Sequence, residues 1–305
     1  MFGKNRVRAY QKIKGESLMK KNIFILLLLC LTTTVHPILG IEVKLGSWII
    51  VNVPASENSI KTVPVKIYFP KEYSQNSRTI IALHDYDGSM NSWQNNTNIA
   101  YYANMYNMVI VCPNMPRTVY ESQFFDETTI RWNEMPAAVW IGNILMPYLK
   151  NTVGLKIAKA SLGVCGFSIG ARGALRIGEL YADTVGAIAC LSGYYDMLSH
   201  TKNSMFVSVY GKYNDNTQRW ATVDNAIDDA KNLKDVAVFL AHGNKDSRVP
   251  MEQSFMLALK LKQLQKEQKS GYNFTFVEKK YKMHDWNFCQ SVLPEMMAFF
   301  NENLK

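Results

Sequence analysis

From Ile41 onward, short apolar runs rich in β-branched residues alternate with longer stretches whose apolar positions recur at helical spacing. SWIIVNVP (Ser47 to Pro54) and VPVKIYFP (Val63 to Pro70) predict two antiparallel strands that open a sheet. The runs that follow, TIIALHD, MVIVCPN, LGVCGFS, AIACLSG, VAVFLAHG and NFTFVEKK, are nearly continuous in apolar residues, the pattern of strands covered on both faces. Between them lie helical patterns over Asn91–Tyr106, Pro136–Leu149, Ile169–Ala182, Asp224–Leu233, Met251–Gln268 and about Val292–Leu304. Strand and helix in this alternation predict an α/β fold: a doubly wound, mostly parallel sheet with antiparallel first strands and right-handed crossovers. No repeat, low-complexity tract or linker interrupts residues 41–305, which therefore read as one domain. In such sheets ligands bind outside the carboxyl ends of the strands, so the residues just after each run are the ones to inspect.

The charge of +9 changes the picture less than its size suggests. Seven Lys or Arg and one Glu lie within Met1–Asn22 and account for six of the nine charges, leaving about +3 for the rest. Beyond that segment the one grouping of lysines is that spaced along Lys260–Lys269, which reads as the solvated face of a helix, and no clustered footprint for nucleic acid is left. Met19-Lys20-Lys21-Asn22, the apolar IFILLLLCL and the polar TTTVHPILG that ends at Gly40 have the three-part pattern of a secretory signal peptide. The apolar part is short of the roughly 20 residues that span a bilayer, so the expectation is a secreted or periplasmic protein without a stable span after cleavage. Residues 1–40 are thus expected to be an N-terminal extension and signal peptide. After it come four cysteines, of which Cys112, Cys165 and Cys190 fall in apolar strand-like runs and read as small core residues. No metal-ligand spacing is present, and neither a metal nor an organic cofactor is implied.

Four predicted strand ends carry chemistry: Gly166-Phe167-Ser168-Ile169-Gly170, Ala241-His242-Gly243-Asn244-Lys245-Asp246, Tyr281-Lys282-Met283-His284-Asp285-Trp286, and His84-Asp85-Tyr86-Asp87-Gly88. Ester hydrolysis by serine needs a hydroxyl, a base that works near neutral pH and an acid that orients the base. Ser168, His284 and Asp246 supply these types in the order Ser, Asp, His. A sharp strand-to-helix turn would hold Ser168 up at the sheet edge, with Gly166 and Gly170 avoiding collision as the chain doubles back. The N–H of Ile169, at a helix start, is the natural first oxyanion donor, and the second is expected from Tyr86 in the loop after TIIALH. Taken singly, each residue is more economically a turn or loop residue. Asp285 stands too close to His284 in sequence to serve it as the acid. His84 and His242 are expected to shape their turns, and Arg172 to make a structural ion pair.

From about Val63 to Phe300 the chain resembles the α/β-hydrolase superfamily, and within it the secreted carboxylesterases of the esterase D type, which include feruloyl and acetylxylan esterases. The resemblance rests on IIALHDYDGSMNSW, MVIVCPN, VWIGNILMPYL, GFSIGARGAL, LSGYYD, HGNKDSRVP and HDW, in that order. It implies Ser168 as nucleophile, Asp246 as acid, His284 as base, and Ile169 with Tyr86 as oxyanion hole. Two positions depart from the family pattern: His84-Asp85 stands where many relatives have His-Gly, and Ala171 follows Gly170 where they often have a second glycine. The implied activity is that of an exported serine esterase acting on small esters or on acyl groups of polysaccharides. A peptidase of the prolyl oligopeptidase kind and a non-catalytic binding module that keeps the fold are the alternatives. The long loop Pro113–Met135 is expected to touch substrate, through Arg131 and Trp132, together with Tyr194 and Trp286 from other strand ends.

Overall fold

The computed structural model describes residues 37–38, 41–268 and 271–305. The expected extension and signal peptide (1–40) lies outside them except for residues 37–38. Eight strands form the central sheet: β1 (Ser47–Pro54), β2 (Thr62–Phe69), β3 (Arg78–Leu83), β4 (Met108–Pro113), β5 (Leu162–Phe167), β6 (Ala187–Leu191), β7 (Ala237–Gly243) and β8 (Phe274–Lys279). Their spatial order is β8-β7-β6-β5-β3-β4-β2-β1. β2 runs antiparallel to both β1 and β4, and every other pairing is parallel. The doubly wound sheet with antiparallel first strands is therefore the fold.

Alternation along the central strands feeds two cores. Ile81, Val111 and Val164 belong to one, whereas Ile80, Ile110 and Cys165 belong to the other. Helices cover both faces, which is why the strands read as continuous apolar runs. The first core takes in α1 (Ile169–Leu180) and α3 (Glu252–Gln268), the second α4 (Trp286–Asn303). All four described cysteines are buried free thiols, Cys289 lying on α4. Among the described residues no helix is long and apolar enough to cross a membrane.

Several helices differ from expectation in ways that have local causes. The pattern over Asn91–Tyr106 breaks at Thr97-Asn98 into Ser92–Asn96 and Ile99–Met105, with Thr97 in an extended conformation. A π turn (Ile141–Leu145) lies between the helical pieces Ala137–Trp140 and Met146–Asn151. α4 starts six residues before the expected Val292, because Asp285 caps it and the chain runs helically through Pro294, a residue usually confined to the first turn. A segment not expected to be regular forms α2 (Ser204–Tyr210), whose N-terminus is capped by Asn203 through the Met205 N–H.

Candidate active site

β5 ends at Phe167 and α1 begins at Ile169, so a single residue turns the chain from strand to helix. That residue, Ser168, sits at φ 60° and ψ −120°, a conformation that a residue with a side chain adopts only under strain. The flanking glycines make the turn passable. A Cβ on Gly166 would lie 2.0 Å from the Gly170 carbonyl oxygen, and one on Gly170 would lie 2.5 Å from that of His84. The Ser168 N–H donates to the Leu191 carbonyl on the neighbouring strand at 2.9 Å, which anchors the turn to the sheet.

His284 and Asp246 come from the turns that follow β8 and β7. The Ser168 hydroxyl donates to His284 Nε2 at 2.8 Å, and His284 Nδ1–H donates to Asp246 Oδ2 at 2.6 Å. The proton positions follow from valence: an ionised carboxylate can only accept, so Nδ1 carries the hydrogen and Nε2 presents a lone pair to Ser168. Asp246 Oδ1 accepts from the N–H groups of Arg248 and Val249, each at 2.9 Å. Burial opposes its charge, but polar contacts with His242, His284 and the Val249 N–H hold Asp246 well below the usual carboxylate range. The Phe167 ring packs against the His284 ring at 4.7 Å between centroids. Asp285 does not compete for His284; its carboxylate accepts the Phe288 N–H at 2.9 Å and caps α4.

The two expected oxyanion donors are backbone groups with different supports. Ile169 is the first residue of α1, so its N–H has no carbonyl one turn back and stands at the positive end of the helix. The Tyr86 N–H shares a peptide plane with the Asp85 carbonyl, which accepts from His84 Nδ1–H at 2.6 Å and from the Gly88 N–H at 3.1 Å. In a trans peptide the N–H points opposite to the carbonyl, so these two bonds set the direction of the Tyr86 N–H. His84 is itself fixed: it is buried, and its Nε2 accepts the Met115 N–H at 2.9 Å. Burial lowers its pKa and favours the neutral ring that this arrangement needs, although its contacts with Asp85 pull the other way. Among the described residues neither the Ile169 nor the Tyr86 N–H donates a hydrogen bond within the chain.

Ser168 and His284 open into a cleft of about 340 Å³. Its apolar walls are Phe167, Tyr194, Met205 and Trp286, and its polar groups are Tyr86, Asp85, Asp87, Asp285 and Arg248. Tyr194 and Trp286 therefore stand where contact with substrate was expected. Trp286 is held edge-on to both Trp93 and Phe167 at 5.1 Å.

The structure does not bring Arg131 and Trp132 to the cleft. Trp132 packs edge-on to Trp140 at 5.3 Å, while the exposed Arg131 folds back over the Phe124 ring at 5.0 Å. The reason lies in how the loop of 113–135 is fastened. Buried Glu121 accepts the Ala137 N–H at 3.1 Å, and Thr128 and Thr129 bond to the Val209 and Ser208 carbonyls of α2. The second half of the loop thus faces α2 instead of the cleft. Arg172 also departs from expectation. It is buried and donates to the carbonyls of Val119 (3.1 Å) and Asp224 (2.8 Å), while the nearby carboxylates of Glu179, Asp224 and Asp229 pair with Arg176.

Phe167, Met205, Asp87 and Arg248 line the cleft without having been singled out by sequence. Phe167 and Arg248 lie within the motifs that carry Ser168 and Asp246, which is a usable signal. Met205 had none, because it sits on a short helix in a segment whose fold only long-range contacts decide. Among the described residues no group of three or more His, Cys, Asp or Glu is arranged to hold a metal ion.

The family model Esterase matches residues 56–300. No curated protein matches the chain. Among solved structures, an S-formylglutathione hydrolase from Agrobacterium tumefaciens is similar at a TM-score of 0.69 and 13% identity, over 87% of this chain and 98% of the other. A ferulic acid esterase matches at 0.62 and 15%, over 84% of this chain and 98% of its own. A truncated carbohydrate esterase from gut microbiota matches at 0.62 and 18%, over 84% and 96%. At these identities the structural likeness shows the fold alone.

Proposed function

Because this chain belongs to the esterase family of α/β-hydrolases, we propose that Ser168, His284 and Asp246 are its nucleophile, base and acid, and that it cleaves carboxylic esters through an acyl-enzyme. The observation that carries the reading is the unbroken run of two hydrogen bonds from Ser168 through His284 to Asp246. As Ser168 Oγ attacks the ester carbonyl carbon, His284 Nε2 takes the hydroxyl proton, and Asp246 stabilises the resulting imidazolium. The bond to the leaving oxygen breaks as His284 gives that proton to it. Water, deprotonated by the same Nε2, then attacks the acyl carbon, and the acid leaves with Ser168 restored. The N–H groups of Ile169 and Tyr86 would hold the oxyanion in both steps, where losing one such donor typically costs about 3 kcal/mol.

The substrates we infer are small esters or acyl groups carried on polysaccharide. An open cleft with aromatic walls at Tyr194 and Trp286 supports this reading, since flat apolar side chains suit both an acyl chain and a sugar ring. We further propose that residues 1–40 direct the protein out of the cytoplasm, to the periplasm or the medium, and are removed on the way. That part rests on the signal pattern of Met19 to Gly40.

Replacing Ser168 by Ala tests the assignment. The variant is expected to melt with the wild-type protein, to lose hydrolysis of p-nitrophenyl butyrate and to escape labelling by a fluorophosphonate. Retained turnover in the folded variant sinks the assignment. Acetyl, butyryl, feruloyl and sugar-acetate esters, set beside a peptide substrate, then rank the acyl and alcohol preferences.

A further inference from the structure

Asp246 touches a second imidazole. His242, the next-to-last residue of β7, is fully buried. Its Nε2 lies 3.3 Å from Asp246 Oδ2 and 3.0 Å from the Val249 carbonyl, and its Nδ1 lies 2.8 Å from Ser254 Oγ. Both neighbours of Nε2 are acceptors, so Nε2 carries the hydrogen. Nδ1 is then the acceptor of a hydrogen bond donated by the hydroxyl of Ser254, which is also fully buried, on α3. The tautomer and plane of this ring are thereby set from two sides. A directed chain of donors results, running from Ser254 to His242 and from His242 to the same carboxylate oxygen that serves His284.

We propose that His242 is a positioning residue for the reaction, aiming Asp246 Oδ2 at His284 Nδ1 through its own Nε2–H. The proposal rests on the reading of Ser168, His284 and Asp246 given above. The Arg248 and Val249 N–H groups both bind Oδ1 and hold the carboxylate from one side. His242 Nε2, 3.3 Å from Oδ2, flanks the oxygen that serves His284 from the other side. It also leads the hydrogen bonds that keep the carboxylate ionised against the cost of its burial. The titratable and charged groups around Asp246 are His242 from β7, His284 from the turn before α4, Tyr194 from the turn after β6, and Arg248 from its own turn.

A bond between His242 and the Val249 carbonyl could also serve only to close the turn, and kinetics separates the two roles. His242→Gln offers an amide N–H near the place of Nε2–H, whereas His242→Leu offers none. For the leucine variant, kcat/KM on p-nitrophenyl butyrate, corrected for the folded fraction, should fall on the order of tenfold to a hundredfold, the size of one hydrogen bond to a charged group. Its acid limb should move to higher pH, because a carboxylate with one donor fewer turns more of its charge on His284. The glutamine variant should recover most of the rate and return the limb toward wild type. Ser254→Ala should move the limb the same way by a smaller amount. A limb that stays in place for the leucine variant, or equal losses for leucine and glutamine, overturns the proposal. Should the leucine variant not fold, an unmoved limb in Ser254→Ala overturns it instead. Turnover by Ser168→Ala would remove the underlying reading and is told apart by that variant alone.

Discussion

Asp246 shows how much one side chain is asked to do. Its Oδ1 accepts from two backbone N–H groups and its Oδ2 from His284, with the His242 Nε2 a further neighbour of Oδ2 at 3.3 Å. Asparagine has the same shape but only one oxygen. In Asp246→Asn that oxygen is needed by the Arg248 and Val249 N–H groups, so the amide NH2 faces His284 and His242. A donor facing His284 Nδ1 selects the tautomer with hydrogen on Nε2, which cannot take the proton of Ser168. The expected loss of kcat is on the order of ten-thousandfold with little change in fold. Steady-state kinetics with far-ultraviolet circular dichroism checks it, and a loss of less than tenfold would show that tautomer control is not what Asp246 supplies.

The elbow is the element on which the site depends. β5 and α1 meet at one strained residue, and the strain is sustained because both partners are deeply buried, α1 on nearly every side. Gly170 is the close approach between this element and the loop after β3: a Cβ there would press on the carbonyl oxygens of both Leu83 (2.7 Å) and His84 (2.5 Å). Backbone cannot step aside as a side-chain tip can. Gly170→Ala should therefore lose about 1–3 kcal/mol of stability, as crowding of a packed interior usually does. It should also lower kcat, because His84 and the Asp85–Tyr86 peptide move with the loop. Urea denaturation and the turnover number measure the two effects, and a variant as stable and active as wild type contradicts the packing argument.

At the scale of the whole molecule, strand order does the assembly. β3, β5, β6, β7 and β8 are successive neighbours, the strand order reversing at β3 with β4 on its other side, and their carboxyl ends bring residues 86, 168, 194, 246 and 284 to one edge. The segment after β6 is tied to this scaffold through Arg176 on α1, which pairs with Asp224 at 2.9 Å and Asp229 at 2.7 Å, so α2 and its Met205 sit against the cleft. Export belongs to this scale as well. If residues 1–40 are a leader, protein recovered from the periplasm or the medium should begin at or shortly after Gly40. N-terminal sequencing of that fraction decides, and an intact N-terminus on a cytoplasmic protein would overturn the export reading.

Linear order already contained the sheet and the side chains of the candidate site. Apolar runs covered on both faces have no use but as central strands, and Ser168, Asp246 and His284 stand at their ends, where a parallel sheet collects its loops. What the chain could not show locally is where a long loop turns once it leaves a strand. Trp132 and Arg131 looked well placed at 131–132, yet Glu121, Thr128 and Thr129 anchor that loop to Ala137 and α2, partners 16 to 81 residues away in sequence. Met205 entered the cleft by the same means, and the shared oxygen between His242 and His284 appeared only when β7 and the turn after β8 met. Periodicity is a property of neighbours along the chain and survives without the fold. Side-chain direction in loops is set by contacts between distant segments, and only folding brings those together.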